Sequence, residues 1–307
     1  MSKRTPAAWI AEKILKLVNT GCFDNRENAG KYMEKQSLVQ DLPYRLPRHR
    51  YCSMVDLADY EDNKVIRFSP AKEAKKTVIY LHGGAYVEEI SRFHVIYCDN
   101  LCAAAKVNVI VPIYKLAPNH TWEEAYRFLY SLYLSEQKKG KQIIMMGDSA
   151  GGGLAAGLVH YLSEQKTVLP VALCLFSPWV DVTMSSDYSG YEDKDPMLRA
   201  EGLAEMGRVW AGNLDAKDPK ISPLYASLHG FPKTLLFVGT RELFYPDIVS
   251  FHNKLLQAGS ESELVTGVGM NHVYPLYPLP EARKARKAVV EFIQGLTDPE
   301  GSSLRTH

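Results

Sequence analysis

From about residue 64 onward, short apolar, β-branched runs alternate with longer stretches whose apolar positions recur every three or four residues. The runs Lys76–Leu81, Val107–Ile113, Gln142–Met146, Val171–Phe176, Thr234–Val238 and Glu263–Val268 read as strands. The stretches Phe93–Ala105, Trp122–Gln137, Gly152–Gln165, Asp247–Ala258 and Glu281–Leu296 read as helices between and after them. Strands that are apolar on both faces and separated by helices predict a mostly parallel, twisted sheet flanked by helices.

Two regions break the rhythm. Residues 1–50 look helical and then irregular, and 183–230 is long, polar and aromatic where a crossover needs far fewer residues. Read together they predict a helical cap over the strand ends, dividing the chain into a cap segment 1–50, core 51–182, cap insertion 183–230, core 231–300 and a tail 301–307. Near the start, Thr5 before Pro6 is a cap followed by proline at the first helical position, and Ile10, Ile14 and Leu17 share one face, so an amphipathic helix is expected. The lysines and Glu12 within it argue against a secretory signal, and nowhere do about 18 uncharged apolar residues run together, so no integral membrane association is expected. The hexamer Tyr-Leu-Ser-Glu-Gln-Lys recurs at 133–138 and 161–166 without matching surroundings, which predicts two helix ends and no repeat architecture.

Composition narrows the partner more than the fold. The chain has 307 residues, 46% of them hydrophobic, enough for a large core. Its 36 basic and 35 acidic residues nearly cancel, which gives no electrostatic footprint for nucleic acid and favours a small, uncharged molecule. The cysteines at 22, 52, 98, 102 and 174 form no CxxC pair, and most lie in apolar segments, which suggests reduced thiols in a cytoplasmic protein. Cys98 and Cys102 share a helix face but lack two further ligands for zinc, so no metal is expected.

The chemistry begins where strand Gln142–Met146 runs into Gly147-Asp148-Ser149-Ala150-Gly151, with Gly152 and Gly153 opening an apolar helix. Strand, G-x-S-x-G, then helix is a nucleophile elbow: the serine sits on a strained turn, and glycines let neighbouring backbone pass close. A phosphate loop would need a Lys-Ser/Thr pair after its last glycine, where this sequence has Leu154-Ala155. One crossover earlier, His82-Gly83-Gly84-Ala85-Tyr86 follows another apolar strand. In an α/β-hydrolase fold the oxyanion is held by the N–H after the nucleophile, here Ala150, and by N–H groups of this earlier loop, here Gly83 and Gly84.

That fold places serine, acid and histidine in this chain order. His82, His94 and His120 come too early, His160 and His252 lie in helices, His229 in the insertion and His307 in the tail. His272, just past the last strand, remains as the base. For the acid, Glu242 follows strand Thr234–Val238 most closely, while Asp247 five residues on is read as capping the next helix.

Taken together, His82-Gly83-Gly84, Tyr114-Lys115-Leu116-Ala117-Pro118, Gly147-Asp148-Ser149-Ala150-Gly151, Ser177-Pro178-Trp179-Val180-Asp181, Asp218-Pro219 with Ser222-Pro223-Leu224, and Gly269-Met270-Asn271-His272 resemble the hormone-sensitive-lipase-like esterases over roughly residues 70 to 295. The resemblance implies an α/β-hydrolase core, a cap, no cofactor, and hydrolysis of short- to medium-chain acyl esters through an acyl-enzyme. It also implies supporting roles for His82, Asp148 and Asp181, outside the proton transfers. Ala85 stands in place of a third glycine, Glu242 where aspartate is commoner, and His120-Thr121-Trp122-Glu123-Glu124 lacks the usual prolines and phenylalanine.

Rival readings keep the same fold. A lactonase, amidase or acyltransferase would use the same three residues, and a non-catalytic small-molecule receptor would usually have lost one of them. Ser-x-x-Lys strings occur at Ser69 and in both hexamers, three chance matches that cancel one another. The cluster Arg283, Lys284, Arg286 and Lys287 reads as the solvated face of a terminal helix. Tyr188, Tyr191 and Trp210 are expected to shape the acyl pocket, and a homodimer is compatible with the sequence.

Overall fold

The computed structural model describes residues 4–296; His307 and the tail at 301–307 lie outside them. Eight strands form one sheet: β1 (Met54–Tyr60), β2 (Asn63–Ser69), β3 (Lys76–Leu81), β4 (Asn108–Ile113), β5 (Gln142–Asp148), β6 (Ala172–Phe176), β7 (Lys233–Gly239) and β8 (Ser262–Gly267). Their spatial order is β1-β2-β4-β3-β5-β6-β7-β8. The hairpin of β1 and β2 is antiparallel and pairs antiparallel to β4, and the other pairings are parallel. The sequence rhythm located β3 to β8 within one or two residues and missed the hairpin of β1 and β2. Strand β1 sits at the sheet edge with no buried residue, and β2 is antiparallel to its neighbours, outside the alternation of parallel strands and helices.

The helices are α1 (Pro6–Val18), α2 (Arg26–Ser37), α3 (Arg92–Ala105), α4 (Trp122–Gln137), α5 (Ser149–Glu164), α6 (Ala200–Ala211), α7 (Tyr245–Gln257) and α8 (Pro280–Gly295). Alternation along each central strand divides the core in two. Ile79 and Leu81 of β3 and Ile143 and Met145 of β5 pack with Phe128 of α4, Leu154 of α5 and Phe251 of α7. Val78, Tyr80, Ile144 and Met146, one residue out of phase, pack with Val95 of α3 and Val289 of α8 on the opposite face. The repeated hexamers terminate α4 and α5.

The region inserted after β6 holds α6, which packs against α2 from the amino-terminal segment. Gly202 at the start of α6 donates its N–H to Phe23 O, at 3.1 Å. Asn19, at the end of α1, donates its amide to Pro196 O at 3.1 Å. Helix α1 itself begins as its sequence predicts, with Thr5 Oγ1 accepting from Ala8 N–H at 3.3 Å. Its orientation differs from expectation: Ala8 and Glu12 face the protein, while Ile10, Ile14 and Leu17 are exposed.

Candidate active site

Strand β5 and helix α5 meet at Ser149, whose φ of 51° puts a non-glycine residue in the left-handed region. The turn is held by close approach of backbone. A Cβ on Gly151 would lie 2.1 Å from Leu81 O and 2.3 Å from His82 O, and one on Gly83 would lie 2.9 Å from the Ser149 Cβ. Both positions therefore exclude any side chain. Because α5 starts at Ser149, its first N–H groups point toward the hydroxyl side of the turn without intrahelical partners.

The loop after β8 brings His272 Nε2 to 2.9 Å from Ser149 Oγ. On the other side of the ring, Nδ1 lies 3.7 Å from Glu242 Oε1, beyond hydrogen-bond length, with the two side chains 4% and 0% exposed. Neither Nδ1 nor Oε1 has another partner among the described residues. Two buried polar atoms only a few tenths of an ångström beyond hydrogen-bond length have only one another to satisfy them, and catalytic contacts commonly tighten when substrate arrives.

The second oxygen of Glu242 is fully engaged. Oε2 accepts from Ser177 Oγ at 2.7 Å and from Gly239 N–H at 2.8 Å. Ser177 Oγ in turn accepts from Val273 N–H at 2.9 Å. One buried hydroxyl at the end of β6 thus couples the acid after β7 to the histidine loop after β8. Sequence reasoning did not single out Ser177; its signal was the Ser-Pro-Trp step directly after an apolar strand.

The loop after β3 corrects one expectation. The Gly83 N–H donates to Asp148 Oδ1 at 3.1 Å, so it is turned toward the elbow's own carboxylate. Gly84, Ala85 and Tyr86 follow with φ of 124°, 53° and 62°, a run of left-handed backbone that costs on the order of 1–3 kcal/mol at each non-glycine position. The N–H groups of Gly84 and Ala85 have no partner among the described residues. The strained turn thus replaces Gly83 by Ala85 among the open donors.

The supporting residues surround this loop. Asp148 accepts from Tyr80 OH at 2.7 Å and contacts His94 Nε2 at 3.2 Å. Burial pushes its carboxyl upward, but the His94 ring and the Tyr80 hydroxyl outweigh burial and hold it below the ordinary range. His82 is stacked on Tyr114 with ring centroids 4.5 Å apart, and its Nδ1 donates to Gly83 O at 2.9 Å. Burial lowers its pKa to about 4, so the ring is neutral. Asp181 faces the insertion: it accepts from Thr183 N–H at 2.9 Å and from Tyr225 OH at 3.0 Å.

Asp247 does not cap its helix. Phe244 holds the cap position of α7, and Asp247 reaches into the insertion, accepting from Tyr188 OH at 2.6 Å and from Ser186 Oγ. Tyr188 therefore serves as a tether between helix and insertion. Beside the nucleophile, fully buried aromatic rings form a continuous wall. Trp210 of α6 stacks on Tyr86 at 4.4 Å, Tyr86 on Trp179 at 5.6 Å, and Trp179 on Phe244 at 5.8 Å. Phe244 meets the His272 ring edge-on at 5.1 Å. The Trp179 N–H also donates to Ser149 O at 2.9 Å, which ties the wall to the elbow. A hydroxyl, an imidazole, a carboxylate and unpartnered N–H groups in this arrangement can carry out acyl transfer.

Residues 78–276 match a family model described as the alpha/beta hydrolase fold. The chain is similar to an esterase from Acinetobacter venetianus, 31% identical over 230 residues that cover 73% of this chain and 76% of that protein. It is likewise 28% identical to an acetyl-hydrolase of Streptomyces hygroscopicus, over 74% of this chain and 78% of the other. Among solved structures, a hormone-sensitive lipase from a metagenome library superposes with a TM-score of 0.81 at 28% identity, covering 96% of this chain and 100% of that one.

Proposed function

The chain belongs to the α/β-hydrolase family, in its hormone-sensitive-lipase-like esterase branch, and is a carboxylic-ester hydrolase; from that premise we propose that it cleaves short- to medium-chain acyl esters through an acyl-enzyme on Ser149. The observation that carries the assignment is the 2.9 Å contact of His272 Nε2 with Ser149 Oγ. His272 takes the hydroxyl proton as Oγ attacks the ester carbonyl. Glu242 holds the ring so that Nδ1 carries a proton, and stabilises the cation that forms. The tetrahedral oxyanion is received by the N–H groups of Gly84, Ala85 and Ala150, each worth roughly 10²–10³ in rate by analogy with measured oxyanion holes. His272 then returns its proton to the departing alcohol, and water repeats the sequence on the acyl-enzyme, regenerating Ser149 and releasing the acid.

The aromatic wall supports the short end of the acyl range, because Trp179, Tyr86, Trp210 and Phe244 are fully buried and already stacked beside the nucleophile. In this reading the cap, residues 4–50 with 183–230, closes the remaining side. Every reacting group comes from one chain, so a dimer is not needed for the chemistry. The cysteines are unpaired, in keeping with a reducing compartment such as the cytoplasm. No helix among the described residues is long and apolar enough to cross a membrane.

The test compares wild type with Ser149→Ala on nitrophenyl esters from acetate to palmitate. Turnover should fall by at least about 10⁴ in the variant, with wild-type kcat/KM highest for the short acids. A fluorophosphonate should label the wild type and leave Ser149→Ala unlabelled. Retained turnover in Ser149→Ala would remove the assignment, and a preference for palmitate would remove the acyl-length reading.

A further inference from the structure

Helix α1 turns its bulky apolar residues outward. Trp9, Ile10, Ile14, Leu17 and Val18 are 52%, 52%, 53%, 85% and 62% exposed, whereas the inner face offers the small side chains of Ala7, Ala8 and Ala11 to the core, and beside them a buried carboxylate, Glu12. It is held by Arg4 at 2.6 Å, by Arg241 at 2.9 Å, and by Lys16 at 3.4 Å. At about 100° per residue, Trp9, Ile10, Ile14 and Leu17 fall within an arc of roughly 140°, with Lys13 inside it. The alanine face alone completes the core, so the larger apolar arc is not accounted for by packing within this chain.

The charges on that outer face have one sign. Glu12 is the helix's only carboxylate and is buried, while Lys13 and Lys16 face solvent. Lys13 Nζ lies 3.7 Å over the Trp9 ring, so its stem runs along the apolar stripe with the ammonium at the edge. An apolar stripe with tryptophan, flanked by lysines, suits a surface that is apolar inside and anionic outside. A second copy docked symmetrically would set lysines against lysines with no exposed carboxylate on the helix to meet them, which is unfavourable. We propose that the outer face of α1 docks the enzyme on anionic phospholipid membrane surfaces, with Trp9, Ile10, Ile14 and Leu17 entering the headgroup region and Lys13 and Lys16 pairing with lipid phosphates.

The inner face of the same helix connects the docked surface to the catalytic region. Arg241, which clasps Glu12, immediately precedes Glu242, and Asn19 beyond the helix holds Pro196 of the insertion. An enzyme seated on α1 therefore has its cap and acid loop beside the lipid, where apolar esters concentrate. Membrane docking does not depend on the ester chemistry, and its test reads binding alone.

The full chain is sedimented with vesicles of phosphatidylcholine, or of phosphatidylcholine with phosphatidylglycerol, at low and high salt. Wild type should cosediment with the anionic vesicles and be released by salt. The double variant Ile14→Glu, Leu17→Glu should lose at least about tenfold in partitioning. Lys13→Gln should lose about fivefold on anionic vesicles and little on neutral ones. These positions are solvent-exposed, so near-ultraviolet circular dichroism and hydrolysis of a water-soluble nitrophenyl acetate should be unchanged. Wild type that stays in the supernatant, or an Ile14/Leu17 variant that sediments like wild type, overturns the proposal. So does a dimer in light scattering that Leu17→Glu makes monomeric while vesicle binding persists, since the face would then join two copies.

Discussion

Glu242 and Asp247 are five residues apart, both buried, and they turn in opposite directions. Glu242 points into the sheet edge, where one oxygen is saturated by Ser177 and Gly239 and the other is left facing the His272 ring at 3.7 Å. Asp247 points up into the insertion, where Tyr188 and Ser186 occupy its oxygens. Sequence position alone makes either a plausible partner for a histidine. Their hydrogen bonds separate them: a carboxylate whose free oxygen faces an unsatisfied ring nitrogen can orient that ring, whereas one occupied by two hydroxyls can only hold structure.

The strongest test of that difference is Glu242→Gln. Gly239 N–H can only donate, so the glutamine carbonyl oxygen must take over the place of Oε2 and its NH₂ must face Nδ1. The ring then has to accept at Nδ1 and carry its proton on Nε2, where it can no longer take one from Ser149. A loss of roughly 10³–10⁴ in kcat is expected, with the fold intact. The same substitution at Asp247 should cost less than about tenfold. The reverse ranking would move the acid to Asp247.

A smaller effect is expected at Ser177, which touches the acid and the histidine loop but no reacting atom. Ser177→Ala removes the donor to Glu242 Oε2 and the acceptor for Val273 N–H together. Glu242 is fully buried and Val273 partly so, so stability should fall by about 1–3 kcal/mol. If Ser177 positions Glu242, kcat should fall by about 10²-fold with KM nearly unchanged, and Ser177→Thr should recover part of it. A stability loss with unchanged kcat would leave Ser177 a structural residue.

This pair also marks where sequence stops being informative. The strands β3 to β8 were legible from their apolar runs. Ser149 and Glu242 were proposed because each follows a buried apolar strand, β5 and β7, and His272 was proposed from chain order and its place past β8, which is itself only partly buried. Asp247 was misread as a helix cap because Pro246 and the acid beside it look like a helix start, whereas its partners Ser186 and Tyr188 lie about sixty positions earlier, in the insertion. Gly83 was expected among the oxyanion donors in place of Ala85. Which N–H points outward depends on the left-handed run at Gly84, Ala85 and Tyr86, and residue types alone do not reveal that. The edge strand β1 escaped because none of its residues is buried, and the outward face of α1 because periodicity identifies an apolar face without saying what it faces.

A last effect leaves activity aside, concerns stability alone and distinguishes the two carboxylates by proton uptake. Burial raises the Asp247 carboxyl from 3.8 to about 6, against the lowering effect of Ser186 and Tyr188. A folded-state pKa above the unfolded one means the native protein binds this proton more tightly. The stabilisation is therefore complete below about pH 4 and is lost as pH rises through 6, on the order of 3 kcal/mol in all. Asp247→Asn cannot ionise, so its stability relative to wild type should increase between pH 4 and pH 7 in urea unfolding. Taking the difference between the two proteins removes every other titrating group, including Glu89, whose carboxyl burial also raises, to about 7. Parallel stability curves for wild type and Asp247→Asn across that range would mean that Asp247 is already charged in the native state at low pH. Its bonds to the insertion would then be those of an ordinary ionised carboxylate, and the contrast with Glu242 would rest on direction alone.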